Sequence, residues 1–295
     1  METTDRTLLL INPGARKGET DIAALKERLK QLAPLVDPPA PGKRAMHDVI
    51  AQHAGSVQRI VIGGGDGTLH NALAAVLEAD LPLGVLPLGT ANDFARSLGI
   101  EDLGSAVDVI AEGHIRSVDV GVVNNTYFLN AVGIGLGPQI NRDLDEKTKS
   151  RFGVLGYFLH FLRNRRIVRG MRAEITCDGK TVQVKSLQIT IANGIHYGGG
   201  MTIVKDARID DGILDVLSIP PQSTWSLLMR GPALRTGNVR DNEYVRTFHG
   251  KEVSVRTRRT MEVTADGEPV TQTPVECRVL CKSLRVFAPQ GSEMQ

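Results

Sequence analysis

At 295 residues the chain fits one large domain or two ordinary ones; its 41% hydrophobic content supports real cores, and with aromatics at 4% the aliphatic residues must do most of the packing. A near balance of 35 basic and 33 acidic residues, for a net charge of +2, argues against a nucleic-acid binder, and no run nears the ~18 apolar residues that a membrane span needs. The opening METTDRTLLLINPG has too short an apolar run and no cationic start for a signal peptide, and the odd set Cys177, Cys277 and Cys281 matches no zinc spacing; both suit a reducing, cytoplasmic setting.

The first part alternates strand and helix. TLLLIN at Thr7–Asn12 reads as a short buried strand, and Asp21–Ala33 as an amphipathic helix with Ile22, Leu25, Leu29 and Leu32 on one face. Pro38–Gly42 is a loop, and HDVIAQHAG a helix that Gly55 would cap. RIVIGG is the next strand, a helix starts at Thr68, and PLGVLPLG is a further strand; short helices follow near Asn92–Leu98 and Leu103–Ala111. The alternation predicts a three-layer α/β domain over residues 1–118 with a mainly parallel sheet. From 119 to 295 strands follow strands, with Asp178-Gly179 and Asp266-Gly267 as two-residue hairpin turns. That texture predicts an antiparallel β-sandwich, with helical stretches near Asp143–Val168 and Trp225–Leu234 and a C-terminal tail free to return to the first domain.

Three loops fall at strand carboxyl ends, where α/β sheets bind ligands: NPGARKG at Asn12–Gly18, GGGDGT at Gly63–Thr68 and GTANDFA at Gly89–Ala95. The glycines expose backbone amides and a helix N-terminus favours an anion, so the pattern suits a phosphate. Asp66 amid that cluster would repel the phosphate unless a cation bridges the two, which points to Mg²⁺ carried with a nucleotide. A glycine-rich turn from strand to helix also serves purely structural ends in α/β folds, and neither the Walker pattern nor a proper G-x-G-x-x-G is present.

GGGDGTLHNALAAV with LPLGTANDFARSLGI resembles the diacylglycerol kinase catalytic domain, in particular the bacterial soluble lipid kinases. The resemblance runs along the chain through INPGARKG, NGIHYGGGM, ARIDDGILDV, ADGEP and LRVFAP. It implies ATP-dependent transfer of the γ-phosphoryl group to the hydroxyl of diacylglycerol or a related lipid. It places nucleotide contacts on Asn12, Pro13, Gly14, Ala15 and Arg16, on Gly64, Gly65, Asp66, Gly67, Thr68, Leu69, His70 and Asn71, and on Thr90. Asp66 and Asp93 would hold the metal–phosphate network. Glu268, or Asp266 beside it, is implied as the base that takes the proton of the attacking hydroxyl. By spacing alone the same ADGEP reads as a hairpin turn. Asp211, with the carbonyls of Arg208 and Ile213, is implied as a structural loop for Mg²⁺ or Ca²⁺, where spacing alone gives an Asp-Gly turn. Two departures stand out: His70-Asn71 stands where the family has Asn-Glu, and DPPAPGK lacks the family's Thr near the adenosine.

RFGVLGYFLHFLRNRRIVRG at Arg151–Gly170 reads in two ways. It is a core helix whose terminal arginines are solvated, or an interfacial helix that brings the enzyme to an anionic lipid surface at the inner face of the cell membrane. A phosphotransferase of NAD kinase type is the rival enzyme, and a non-catalytic nucleotide or lipid sensor is the rival of another class, to which the missing Glu lends weight. Neither the acceptor lipid nor the oligomeric state is encoded in a short motif; a homodimer is left open.

Overall fold

The aliphatic runs of the first part form the parallel strands β1 (Thr7–Ile11), β2 (Leu35–Val36), β3 (Arg59–Gly64) and β4 (Leu83–Pro87). Between and after them lie α1 (Glu19–Leu32), α2 (Met46–His53), α3 (Asp66–Ala79), α4 (Asp93–Ser97) and α5 (Leu103–Glu112). The computed structural model describes residues 5–12, 14, 19–38, 46–135, 170–197, 201–202, 207–221 and 246–291. Pro13, Ala15 and Arg16, the helical stretches expected at Asp143–Val168 and Trp225–Leu234, and the basic segment 151–169 lie outside the described residues.

The later strands are β5 (Ile115–Val123), β6 (Thr126–Phe128), β7 (Ala131–Gly135), β8 (Met171–Cys177), β9 (Lys180–Ser186) and β10 (Gln188–Ala192), then the short pair β11 (His196–Tyr197) and β12 (Met201–Thr202). They continue with β13 (Leu214–Ile219), β14 (Arg246–Gly250), β15 (Glu252–Thr257), β16 (Glu262–Ala265), β17 (Glu268–Gln272) and β18 (Val275–Phe287). An antiparallel six-stranded sheet runs β14-β13-β10-β7-β16-β17. A ten-stranded sheet runs β2-β1-β3-β4-β18-β15-β8-β9, with β5 beside β18 and β6 beside β5.

The residues that alternate inward from the two sheets make the sandwich core. Val132, Ile134, Ile189, Ile191, Leu214, Val216 and Val263 of the six-stranded sheet share one apolar cluster with Ile175, Val253, Val255 and Val275 of the ten-stranded one. The α/β core gathers Leu8–Leu10, Ile60–Ile62, Leu73 and Leu86, and it includes Leu284, Val286, Phe287 and Ala288 from the end of the chain. The ten-stranded sheet therefore does not stop at residue 118. Strand β18 pairs with β15 at one end and lies parallel to β4, Val286 beside Leu83, at the other.

Local details depart from the sequence reading. Leu25 and Leu29 are buried but Leu32 is 39% exposed, so the apolar face of α1 ends one turn early. Helix α2 stops at His53, and Gly55 lies in a 3₁₀ turn, Ala54–Ser56, instead of capping it. Helix α3 begins at Asp66, two residues before Thr68, because the Thr68 amide already bonds to the Gly65 carbonyl. Cys277 is buried as expected for a small core residue, whereas Cys281 is exposed. Both Asp-Gly pairs do adopt the left-handed conformations of a two-residue turn: φ is 45° and 81° at Asp178 and Gly179, and 49° and 87° at Asp266 and Gly267.

Candidate active site

The three loops follow the adjacent strands β1, β3 and β4, so their carboxyl ends stand side by side. The two glycine loops touch backbone to backbone: a Cβ on Gly89 would lie 2.4 Å from the Gly65 Cα, and one on Gly65 would lie 3.0 Å from the Gly89 Cα. Only glycine at both positions lets the loops approach this closely. Asn92, at φ 52°, closes the second loop by accepting from the Gly89 amide at 2.9 Å and donating to its carbonyl at 3.1 Å. The first loop joins through Asn12, whose Nδ2 donates to Thr68 Oγ1 at 2.8 Å and whose Oδ1 accepts from the Gly14 amide at 3.0 Å. Asn71 Nδ2 donates to the Gly67 carbonyl at 2.6 Å, bracing the first turn of α3. Leu69 is buried behind that turn and Thr90 is exposed at the tip of the second loop.

Asp66 lies in the first turn of α3, with Gly65 as the N-cap. Its carboxylate accepts from the amides of Asp93 and Phe94, both at 3.1 Å, and from Asn130 Nδ2 at 3.2 Å. It thereby caps α4 and ties the two glycine loops together. Burial raises its pKa, the Phe94 amide opposes the rise, and the neighbouring Asp93 and Asp266 charges add to it. Asp93 is 4% exposed. His196 lies near it, with its basicity lowered by burial and partly restored by the Asp93 charge.

The hairpin between β16 and β17 brings ADGEP to the same place. Asp266 Oδ1 accepts from the amides of Asn130 at 2.8 Å and Ala131 at 3.2 Å, and Oδ2 accepts from the Leu129 amide at 2.9 Å and meets His70 Nδ1 at 3.2 Å. Glu268 reaches over the start of α3, where its Oε1 lies 3.1 Å from the position a Cβ would take on Gly67. Glu268 and Asp66 thus meet the first turn of one helix, although some 200 residues of chain separate them.

Arg208, Asp211 and Ile213 lie together in the loop before β13. Asp211 Oδ1 accepts from the Ile213 amide at 3.0 Å. Burial raises its pKa, that amide opposes the rise, and the charges of Asp215, Asp119 and Asp210 add to it. Such an excess of negative charge around oxygen donors suits a hard cation. Among the described residues no group of three or more His, Cys, Asp or Glu side chains is arranged as a metal site, so a cation here would lean on backbone carbonyls.

Asn130 and Asp119 escaped the sequence reading, and so did the role of Asn193. Asp119, 1% exposed, accepts from the amides of Gly212 and Lys282, each at 2.6 Å, and so fastens the Asp211 loop and an irregular turn of β18 to β5. Asn193 Nδ2 donates to the carbonyls of Asp119 at 2.9 Å and Leu129 at 3.1 Å. Asn193 opens the NGIHYGGGM motif, but its partners lie far along the chain; Asn130 stands just before β7 and Asp119 in the middle of β5, where no local pattern marks them.

The chain matches two family models, the diacylglycerol kinase catalytic domain over residues 6–123 and the YegS C-terminal NAD kinase beta sandwich-like domain over residues 130–288. It is 31% identical to the protein named "Probable lipid kinase YegS-like" of Pseudomonas aeruginosa (strain UCBPP-PA14), over 98% of this chain and 96% of that one. It is 32% identical to the protein named "Diacylglycerol kinase" of Bacillus subtilis (strain 168), over 80% of this chain and 79% of that one. It spans only about half, 54%, of the Synechocystis sp. protein sll0036, at 32% identity. A solved structure from Bacillus anthracis str. Sterne superposes with a TM-score of 0.85 at 25% identity, covering 98% of this chain and 99% of that one. A diacylglycerol kinase structure from the same organism has the same fold, with a TM-score of 0.79 at 21% identity. With both halves matched in order and full-length relatives above 30% identity, the chain belongs to the family of YegS-like lipid kinases and diacylglycerol kinases.

Proposed function

We propose that this protein transfers the γ-phosphoryl group of ATP to the hydroxyl of a lipid, diacylglycerol or a relative of it, with Glu268 as the base. The observation that carries this reading is the Glu268 carboxylate set against Gly67, on the helix start that the two glycine loops frame. A phosphate held by those loops would bring the acceptor hydroxyl toward Glu268. In phosphoryl transfer the protein mainly positions the partners and balances charge. A divalent cation bound with ATP would neutralise the phosphate oxygens. Asp66 serves that arrangement from behind, by holding the α4 N-terminus and Asp93 in place. Asp266 has both oxygens engaged by the amides at 129–131 and by His70, which makes it a poor acceptor for a further proton. A structural cation at Asp211, with the Arg208 and Ile213 carbonyls, would offset the local excess of carboxylates.

The test is transfer of labelled phosphate from ATP to a total lipid extract, with the product identified by mass. A phosphorylated lipid whose formation stops on chelation of divalent cations is expected. ATP binding with no labelled lipid from any fraction would sink the reading and leave a nucleotide sensor.

A further inference from the structure

Three hydrogen bonds link Asp66 and His70 of α3 to the sandwich by way of Asn130 and Asp266. Asp66 and His70 stand four residues apart on α3, one above the other on the same face. Asn130 Nδ2 donates to Asp66 at 3.2 Å, the Asn130 amide donates to Asp266 at 2.8 Å, and Asp266 meets His70 Nδ1 at 3.2 Å. The His70 and Asp266 side chains are 9% and 1% exposed. An Asp carboxylate that accepts hydrogen bonds from three amides acts only as an acceptor, which assigns the hydrogen of this contact to His70 Nδ1.

The other Asp-Gly turn shows what the histidine adds. Asp178 accepts from the amides of Lys251 and Glu252, and its own amide donates to the Glu252 carbonyl. Asp266 does the same with residues 129–131, its amide donating to the Ala131 carbonyl. Amides alone therefore suffice to seat such a turn on its neighbour. The His70 contact goes further and attaches the turn to α3. Two residues beyond Asp266, Glu268 approaches Gly67 so closely that a Cβ there would stand 3.1 Å from its Oε1.

We propose that His70 is a positioning residue: by holding Asp266 it locks the β16–β17 turn to α3 and so sets where Glu268 stands over the helix start. This rests on the kinase reading above and assigns a role to the residue by which the chain departs from its family's Asn-Glu. At position 70 an imidazole stands in place of the family's Asn, while the family's Glu is matched by Asn71; the ring nitrogen supplies the donor that the facing Asp266 carboxylate calls for.

The experiment compares His70→Leu, His70→Asn and His70→Glu. His70→Leu is expected to lower kcat about 10- to 100-fold while the KM for ATP stays within about twofold, as for a misplacement of about 1 Å. His70→Asn, whose amide nitrogen can take the place of Nδ1, should recover most of kcat, and His70→Glu should not, because it sets carboxylate against carboxylate. In a Glu268→Gln background His70→Leu should cost nothing further. An unchanged kcat in folded His70→Leu, or a loss that multiplies with Glu268→Gln, overturns the proposal. A readout independent of activity is the thermal unfolding of His70→Leu, Asp266→Asn and the double variant. Non-additive shifts uphold the clamp and additive ones overturn it. If Asp266→Asn does not fold, hydrogen exchange of the amides at 129–131 in His70→Leu decides: lost protection upholds the clamp, unchanged protection overturns it. Wild-type protein that transfers no phosphate would sink the kinase reading alone, with the clamp still judged by these stability measurements.

Discussion

Two Asp-Gly hairpin turns of the same geometry do different work, and the difference lies in a few side chains. Asp178 holds the amides of Lys251 and Glu252, and these lower its pKa by favouring the charged form. Asp178→Asn removes that acceptor charge; it should lower the melting temperature at neutral pH and leave turnover unchanged. Because the folded pKa is depressed, the Asp178 contribution is present above the unfolded carboxylate pKa and is lost as pH falls through the folded value. Wild type and Asp178→Asn should therefore converge in stability in acid. Glu268→Gln should behave in the opposite way. As the proposed base it should lose about 10²–10⁴ in kcat. Its fold should shift by no more than about 0.5 kcal/mol, as for a substitution outside the core. Steady-state kinetics and thermal unfolding of both variants are the check, and near-normal turnover in Glu268→Gln would remove it from the chemistry.

At the level of elements, the site depends on two loops whose backbones are in contact. A methyl group on Gly89 meets the Gly65 Cα at 2.4 Å, and neither backbone can yield without opening the frame around the α3 N-terminus. Gly89→Ala should therefore weaken ATP binding at least tenfold. The comparison is Gly113→Ala at the C-cap of α5, where φ is 74° and nothing lies within 4 Å of the added carbon. There the cost is backbone strain of about 1 kcal/mol, which lowers the melting temperature without touching the nucleotide. Calorimetric titration with ATP separates the two. Equal affinity in Gly89→Ala and wild type would contradict the role given to the loop contact.

Across the whole molecule, β18 joins what the family models divide. Its first residues pair with β15 in the sandwich, and Leu284, Val286 and Phe287 complete the α/β core. The fragment 1–128 contains every residue of the kinase catalytic-domain match yet lacks that strand, so β4 and β5 each lose a hydrogen-bonded neighbour. It should show no cooperative unfolding transition, while the full chain unfolds in one. A sharp native-like transition in the isolated fragment would show that the α/β part needs no help from the C-terminal strand.

The sequence by itself carried the fold class, the glycine loops and the approximate place of each motif. These features are local: strand and helix periods, Asp-Gly turns and glycine runs follow from steric rules acting over a few residues. It also carried the family, because the motifs GGGDGT, GTANDFA and ADGEP occur together and in order. What Asp66 and Asp266 do with their oxygens was not legible there. Their partners come from residues 27 to 196 positions away, namely the α4 amides, Asn130, the amides at 129–131 and His70. The same holds for Asp119, buried against two amides that lie 93 and 163 residues along the chain. The sequence left open a return of the tail to the first domain, but only the fold decided that Leu284, Val286 and Phe287 of β18 complete the first core, since the aliphatic run would read the same in either sheet. A buried carboxylate must find donors or pay for its desolvation, and which donors it finds is settled only when the chain has folded.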